Sequence, residues 1–200
     1  MKVYVEPPPE WDCGILSSRI RRNGELYEET FELPMNGSID HWGQLYAPAS
    51  PVTASVEANY AGERILIKVR VSARFSLPCS RCLKETGLAI VGDLRYLFTL
   101  RPARSEQTSV KGKKGEDGDS SGDDDGDVDV IPIDSFETEF DLKQYVWETL
   151  LLFLPERVLC SEDCRGLCQI CGKDLNEGDC SCREEGGDPR FAVLGDIGAN

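Results

Sequence analysis

The chain has 200 residues, a net charge of −14 at pH 7, 40% hydrophobic residues and nine cysteines. That supplies one medium core or two small ones, and it excludes a surface coated with phosphate-binding groups. No apolar run approaches the ~20 residues that cross a bilayer; the longest, TLLLFLP at Thr149–Pro155, is far shorter. The N-terminal MKVYVEPPPEWD has neither the apolar core of a secretory leader nor the Arg/Ser-rich character of a transit peptide, so the chain is expected to be soluble and intracellular. In a reducing compartment an odd number of closely spaced cysteines speaks for metal or catalysis rather than disulfides.

In chain order, ILSSRIRRNGELYEETFEL places Asn23-Gly24 between two extended runs, which predicts a hairpin on a type I′ turn. PMNGSIDHWGQLYAPASP reads as loop from its Pro, Gly and Ser. RILIKVRVSARF is the cleanest strand. Ile65, Ile67, Val69, Val71, Ala73 and Phe75 share one face by period two, and Lys68, Arg70, Ser72 and Arg74 share the other. Val52, Ala54, Val56 and Ala58 alternate before it; Leu88, Ile90, Leu94, Tyr96 and Phe98 alternate after it, with Gly92 as a possible bulge. Three such strands predict an antiparallel meander. Residues 111–129 hold eight acids and three lysines with no apolar period, so this stretch is expected to be a disordered acidic spacer. FDLKQYVWETLLLFLPE then predicts a helix, with Asp141 and Gln144 as a capping-box pair, Leu142, Tyr145, Val146, Leu150, Phe153 and Leu154 at helical spacing, and Pro155 as the stop. The helix should cover the apolar face of the sheet.

The segment CSEDCRGLCQICGKDLNEGDCSC packs six cysteines between Cys160 and Cys182. A disulfide framework suits neither the compartment nor the Cys180-x-Cys182 spacing. A thioredoxin-like redox pair requires a CxxC opening a helix in a βαβ unit, and neither CSRC (Cys79–Cys82) nor CQIC (Cys168–Cys171) has that setting. Zinc accounts for more: Cys168, Cys171, Cys180 and Cys182 make a complete four-thiolate set, with Gly172 free to adopt a tight turn behind Cys171. Cys79, Cys82, Cys160 and Cys164 are two half-sites, and the helix is inferred to return the second pair to the first. Other pairings, or a single filled site, are the alternatives. Cys13 stands alone as a free or buried thiol. All-thiolate tetrahedra leave no open coordination position, the single histidine, His41, supports no general acid–base scheme, and no phosphate loop, nucleophile elbow or HExxH occurs. The sites therefore read as structural, and the chain as no enzyme.

These cysteines, followed by DPRFAVL (Asp188–Leu194) and preceded by CSRCL (Cys79–Leu83), resemble the YceD family, the large ribosomal RNA subunit accumulation proteins of bacteria and plastids. The resemblance covers about residues 137–195, with residues 45–100 matching in the CxRC core and strand pattern. It implies a factor promoting the processing, stabilisation or assembly of large-subunit ribosomal RNA, cytoplasmic in bacteria and in the chloroplast stroma of plants. Gln169 stands where the family pattern has proline, and the acidic insert is a larger departure. The implied whole is an α+β domain: a hairpin and loop (1–44), an antiparallel β-meander or small barrel-like sheet with the CxRC knuckle (45–104), a disordered acidic loop (105–133), and the covering helix with a C-terminal cysteine-rich zinc knuckle (134–200).

Residues 60–104 hold nine Arg/Lys against three acids, a basic island in an acidic chain. Lys68, Arg70, Arg74 and Arg95 on the strands and Arg81 inside CxRC are the candidate RNA-binding residues, contacting large-subunit ribosomal RNA or its precursor. Opposed to this stand ordinary solvent-facing strand residues, and an adaptor reading in which the acidic surface docks a basic ribosomal or assembly protein with RFAVL (Arg190–Leu194) as an apolar latch. A thiol oxidoreductase or nuclease is the third reading. With ribosomal RNA or an assembly protein as partner, no membrane and no small-molecule substrate are expected.

Overall fold

The computed structural model describes residues 2–20, 24–100, 129–133, 135 and 139–182. They fall into two compact units, one within Met1–Leu77 and Gly87–Glu156 and one within Pro78–Thr86 and Arg157–Asn200. The acidic residues 111–128 and the RFAVL segment lie outside the described residues.

The first unit is mostly sheet, curled into a half-barrel, with one α-helix. Its strands are β1 (Val3–Tyr4), β2 (Gly14–Leu16), β3 (Tyr27–Leu33), β4 (Ser38–His41), β5 (Gln44–Pro48), β6 (Val52–Ala61), β7 (Arg64–Pro78), β8 (Glu85–Leu100), β9 (Asp129–Ile133) and β10 (Glu139–Asp141), and its helix is α1 (Lys143–Leu152). β7 carries the expected period two: every second residue from Ile65 to Leu77 is buried. Each of these side chains except Ala73 contributes about 1.5–3 kcal/mol of burial. β6 pairs antiparallel to β7 from Thr53↔Ser72 to Ala61↔Arg64, across the two-residue turn Gly62-Glu63 with Gly62 at φ +65°. β8 pairs with the other edge of β7.

The strand pairing departs from expectation. The runs on either side of Asn23-Gly24 pair elsewhere, β2 with β10 and β3 with β6, and Asn23 itself lies outside the described residues. The stretch read as loop instead holds β4 and β5, joined at Trp42-Gly43, and this ladder shares one register with β3–β6: Tyr27↔Ala58 at one end, His41↔Gln44 at the other. Its turn chemistry hid it, since the first turn position carries Trp where Asn, Asp or Gly would announce the turn. The sheet is mixed rather than antiparallel throughout: β1 runs parallel to β4, and β9, formed by the last five residues of the stretch read as disordered, runs parallel to β8. Gly92 lies against Phe153, where a Cβ would fall 2.1 Å from the ring.

The helix starts at Lys143 with Leu142 as N-cap, and Asp141 accepts from the Lys143 N–H at 3.0 Å instead of forming a box with Gln144. Leu142, Val146, Leu150 and Leu154 are buried as the spacing predicts; Trp147 joins them, while Phe153 is 39% exposed. Trp147 meets Trp11 edge-on at 5.8 Å, and Tyr145 packs against Tyr96 and Phe98 of β8. These aromatic pairs add directional contacts to area burial. Tyr46, fully buried, gives its hydroxyl to the Pro155 carbonyl where the helix has ended.

Candidate metal centres

The second unit is organised by two short turns of the same design. In Cys79-Ser-Arg-Cys82-Leu83-Lys84, the Cys79 N–H donates to the Lys84 carbonyl at 2.8 Å and the Leu83 N–H to the Cys79 carbonyl at 3.0 Å. In Cys168-Gln-Ile-Cys171-Gly172-Lys173, the Cys168 N–H donates to the Lys173 carbonyl and the Gly172 N–H to the Cys168 carbonyl, both at 2.9 Å. In each turn the N–H two residues after the first cysteine points at its sulfur, Arg81 to Cys79 and Ile170 to Cys168, at 3.4 Å. The residue behind the second cysteine must turn left-handed: Gly172 has φ +73°, and Leu83, at the matching place, φ +62°. Glycine adopts this conformation freely, whereas a side chain there costs roughly 1–2 kcal/mol. Sequence reading recognised Gly172 and missed Leu83, whose size concealed the equivalence.

Each turn presents two sulfurs, and a second pair completes each set. Cys79, Cys82, Cys160 and Cys164 form one cluster; Cys168, Cys171, Cys180 and Cys182 form the other, with the four sulfurs of each within 4.8 Å of one another. In the first, the sulfurs of Cys79 and Cys164 stand 3.7 Å apart and those of Cys82 and Cys160 3.5 Å. A tetrahedron with ~2.3 Å metal–sulfur bonds has edges of about 3.8 Å, so this spacing suits a shared cation and far exceeds an S–S bond. All nine cysteines are free thiols. Among the described residues these two are the groups of His, Cys, Asp and Glu able to hold a metal, and an all-thiol donor set suits a soft-ligand tetrahedral ion such as zinc.

Within each set the thiols differ in how readily they ionise. Burial pushes the Cys79 thiol up, but the N–H groups of Cys82, Arg81 and Cys160 bring it down to about 6. The Lys84 N–H pulls Cys82 down, yet burial and the neighbouring thiols of Cys160, Cys79 and Cys164 push it up to about 12. In the second cluster the N–H groups of Cys171 and Ile170 bring Cys168 down to about 6, while the Cys171 thiol, burial and the Cys168 thiol push Cys182 up to about 12. One thiol in each set ionises readily and a further one resists, as expected for like charges a few ångströms apart, a repulsion that a divalent cation at the centre would remove. Cys13, by contrast, is lifted to about 12 by burial and is an unreactive core thiol.

Three residues that sequence reading assigned to other tasks, or missed, support the first cluster. Arg81, a candidate RNA ligand, gives its guanidinium to the Cys164 carbonyl at 2.8 Å. Gly166, at φ +75°, lies against Arg81: a Cβ there would stand 3.1 Å from the Arg81 carbonyl oxygen. Asn176 lies between Cys171 and Cys180 in sequence, yet its amide donates to the Cys164 sulfur at 3.5 Å while its oxygen accepts from the Arg165 N–H at 2.8 Å. A residue within the second cysteine set thus supports a sulfur of the first. Nothing in the local pattern announces this; an isolated bridge between Leu167 and Asp174 joins the same two stretches.

Of the remaining candidate RNA residues, all in the first unit, two are already paired. Lys68 faces Glu57 at 3.9 Å and Asp93 at 3.8 Å, and Arg70 faces Asp93 at 3.5 Å. Arg74 and Arg95 are exposed with no carboxylate partner among the described residues. Arg74 lines a surface hollow of about 330 Å³ together with Ser50, Thr53, Ser72, Ala89 and Val91.

The class defined by this geometry is a β-rich protein with two four-cysteine clusters on twin CxxC turns, each able to hold a metal. The family model for the large ribosomal RNA subunit accumulation protein YceD matches residues 67–198, and the chain belongs to that family. It is 26% identical over 160 residues, 76% of its length, to the chloroplastic large ribosomal RNA subunit accumulation protein YCED homolog 1 of Arabidopsis thaliana, and 26% identical over 158 residues, 74% of its length, to the homolog of the same name in Zea mays. It spans about half the length of each, 50% and 53% respectively. No solved structure matches.

Proposed function

We propose that this protein is a non-enzymatic factor supporting accumulation of large-subunit ribosomal RNA, held in shape by two structural zinc ions on Cys79/Cys82/Cys160/Cys164 and Cys168/Cys171/Cys180/Cys182. The observation that carries this reading is the family match over the cysteine segment together with two closed four-thiol sets, which leave a bound zinc no free position for substrate. Zinc supplies binding free energy that becomes folding free energy, roughly 10–16 kcal/mol in small zinc-finger peptides, and no chemical step. The names of the plant relatives, which speak of large-subunit ribosomal RNA accumulation, point the same way.

Two modes of action stand beside each other. In direct RNA binding, Arg74 and Arg95 reach phosphate first, and Lys68 and Arg70 exchange Glu57 and Asp93 for it. The adaptor mode is favoured by that same pairing and by the net charge of −14, both of which suit a basic ribosomal or assembly protein better than RNA. Ultraviolet crosslinking of the tagged protein in cells, with sequencing of attached RNA, separates them. Reads concentrated on segments of large-subunit ribosomal RNA or its precursor support direct binding, with Arg74→Glu and Arg95→Glu removing them. Reads at background with normal ribosomal RNA loss on depletion leave the adaptor. Unchanged ribosomal RNA levels on depletion would overturn the accumulation role itself. The compartment, bacterial cytoplasm or chloroplast stroma, follows the organism of origin.

A further inference from the structure

Of the three tryptophans, Trp11 and Trp147 are buried and Trp42 is 72% exposed. Trp42 occupies the first position of the two-residue turn between β4 and β5, at φ +53°, with Gly43 following at φ +78°. That position asks for Asn, Asp or Gly, and a bulky side chain there is strained. The Asp40 carboxylate accepts from the Gly43 N–H at 3.1 Å and holds the turn, so the indole is not needed for it. The indole stacks on His41, with ring centroids 4.4 Å apart and planes at 24°, which holds it outward as a plate. An aromatic that is both exposed and strained contributes little to the folded chain, and strain of this kind collects where a protein meets a ligand.

The surroundings identify the ligand. β4, its turn and β5 contain no Lys or Arg, and Asp40 is exposed beside the turn. β1 runs parallel to β4, and the chain continues from it into Val5, 71% exposed, and Glu6, also exposed. Leu45, across the ladder from Asp40, is 44% exposed. An indole plate on a hairpin that carries Asp40 and Leu45 and no Lys or Arg repels a phosphate backbone and suits a cationic side chain lying on the ring. We propose that the Trp42 tip docks a Lys/Arg-rich segment of a partner protein, with a cation over the indole, Asp40 and Glu6 at the rim, and Val5 and Leu45 against the stem of the incoming side chain. The inference rests on the accumulation reading only for one of its probes.

The test uses the full zinc-loaded chain and acrylamide quenching, to which Trp42 is the accessible tryptophan. The probes are an Arg-rich synthetic peptide, the basic proteins extracted from large ribosomal subunits, and a single-stranded RNA oligonucleotide. Expected is shielding of Trp42 by peptide and extracted proteins, about tenfold or more weaker binding by Trp42→Asn, and near-normal binding by Trp42→Phe, which keeps a ring. Trp42→Asn should also melt about 2–4 °C higher, because Asn suits the left-handed position. Shielding by RNA alone, unaltered peptide binding in Trp42→Asn, or a lowered melting temperature in that variant would each overturn the proposal. Peptide shielding in a protein whose depletion leaves ribosomal RNA unchanged would uphold the docking site and sink the accumulation role, so the two fail separately.

Discussion

Cys79 and Cys82 meet Cys164 and Cys160 across 85 and 78 positions of chain, whereas the four sulfurs of the other cluster come from Cys168 to Cys182. Three of the four cysteines in the first set are buried, with Leu159 and Leu167 packed against them; in the second, Cys171 is exposed and the others are half-covered. Both sets start from the same CxxC turn with the same N–H to sulfur contact. The turn therefore sets the local geometry of the donors, and the origin of the second pair sets what the cluster holds together. A long-range cluster closes a large loop and fixes two segments of the second unit to each other; a local cluster orders its own short stretch.

That contrast is sharpest in cysteine replacement. Cys82→Ser removes a ligand from the long-range set and is expected to cost more than about 4 kcal/mol, the range reserved for loss of a metal or a buried network. Cys171→Ser should disorder residues around 168–182 and leave the Cys79 turn in place. Hydrogen exchange of the Cys79, Leu83 and Ser80 amides reads the difference, and equal loss of their protection in both variants would break the comparison.

A second, smaller effect lies in metal release on acidification. Cys82 and Cys182, pushed up to about 12, must lose protons to bind, so affinity is full at high pH and falls as pH falls and the thiolates take protons back. The exposed second cluster should release zinc to a chromogenic chelator at higher pH than the buried first cluster. Simultaneous release would mean that the two sites empty as one.

Asn176→Ala tests the link between the sets. Loss of its amide donor to the Cys164 sulfur should lower zinc affinity of the first cluster about tenfold, as outer contacts to metal ligands commonly do, with the second cluster unchanged. Competition against a chelator measures it. The smallest change runs in the favourable direction: Leu83→Gly removes a strained left-handed leucine that is 65% exposed, and should raise stability by about 1 kcal/mol. A melting temperature that falls would show that Leu83 is a packing residue after all.

Reach along the chain separates what was legible from what was not. Period two made β6, β7 and the apolar face of β8 readable, since alternation of Val, Ala, Ile and Phe is a property of adjacent residues. Helical spacing and Pro155 located α1 in the same way, and cysteine spacing marked the two CxxC turns. The Trp42-Gly43 turn escaped because tertiary pairing of β3–β4 with β5–β6 overrode unfavourable turn chemistry. The pairing of β2 with β10 and of β9 with β8 escaped because parallel and distant strands leave no mark in either segment alone.

By itself, then, the sequence determined which side chains face a core, where the thiols come in pairs, and to which family the chain belongs, because each depends on short spacings and residue chemistry. Only the tertiary structure decided that Lys68 and Arg70 are met by Glu57 and Asp93, that Arg81 clamps the Cys164 carbonyl, and that Asn176 reaches a sulfur of the first cluster. The physical reason is the range of the interactions. Ion pairs and hydrogen bonds act over a few ångströms in space, and strand register and loop closure decide which distant residues come within that distance.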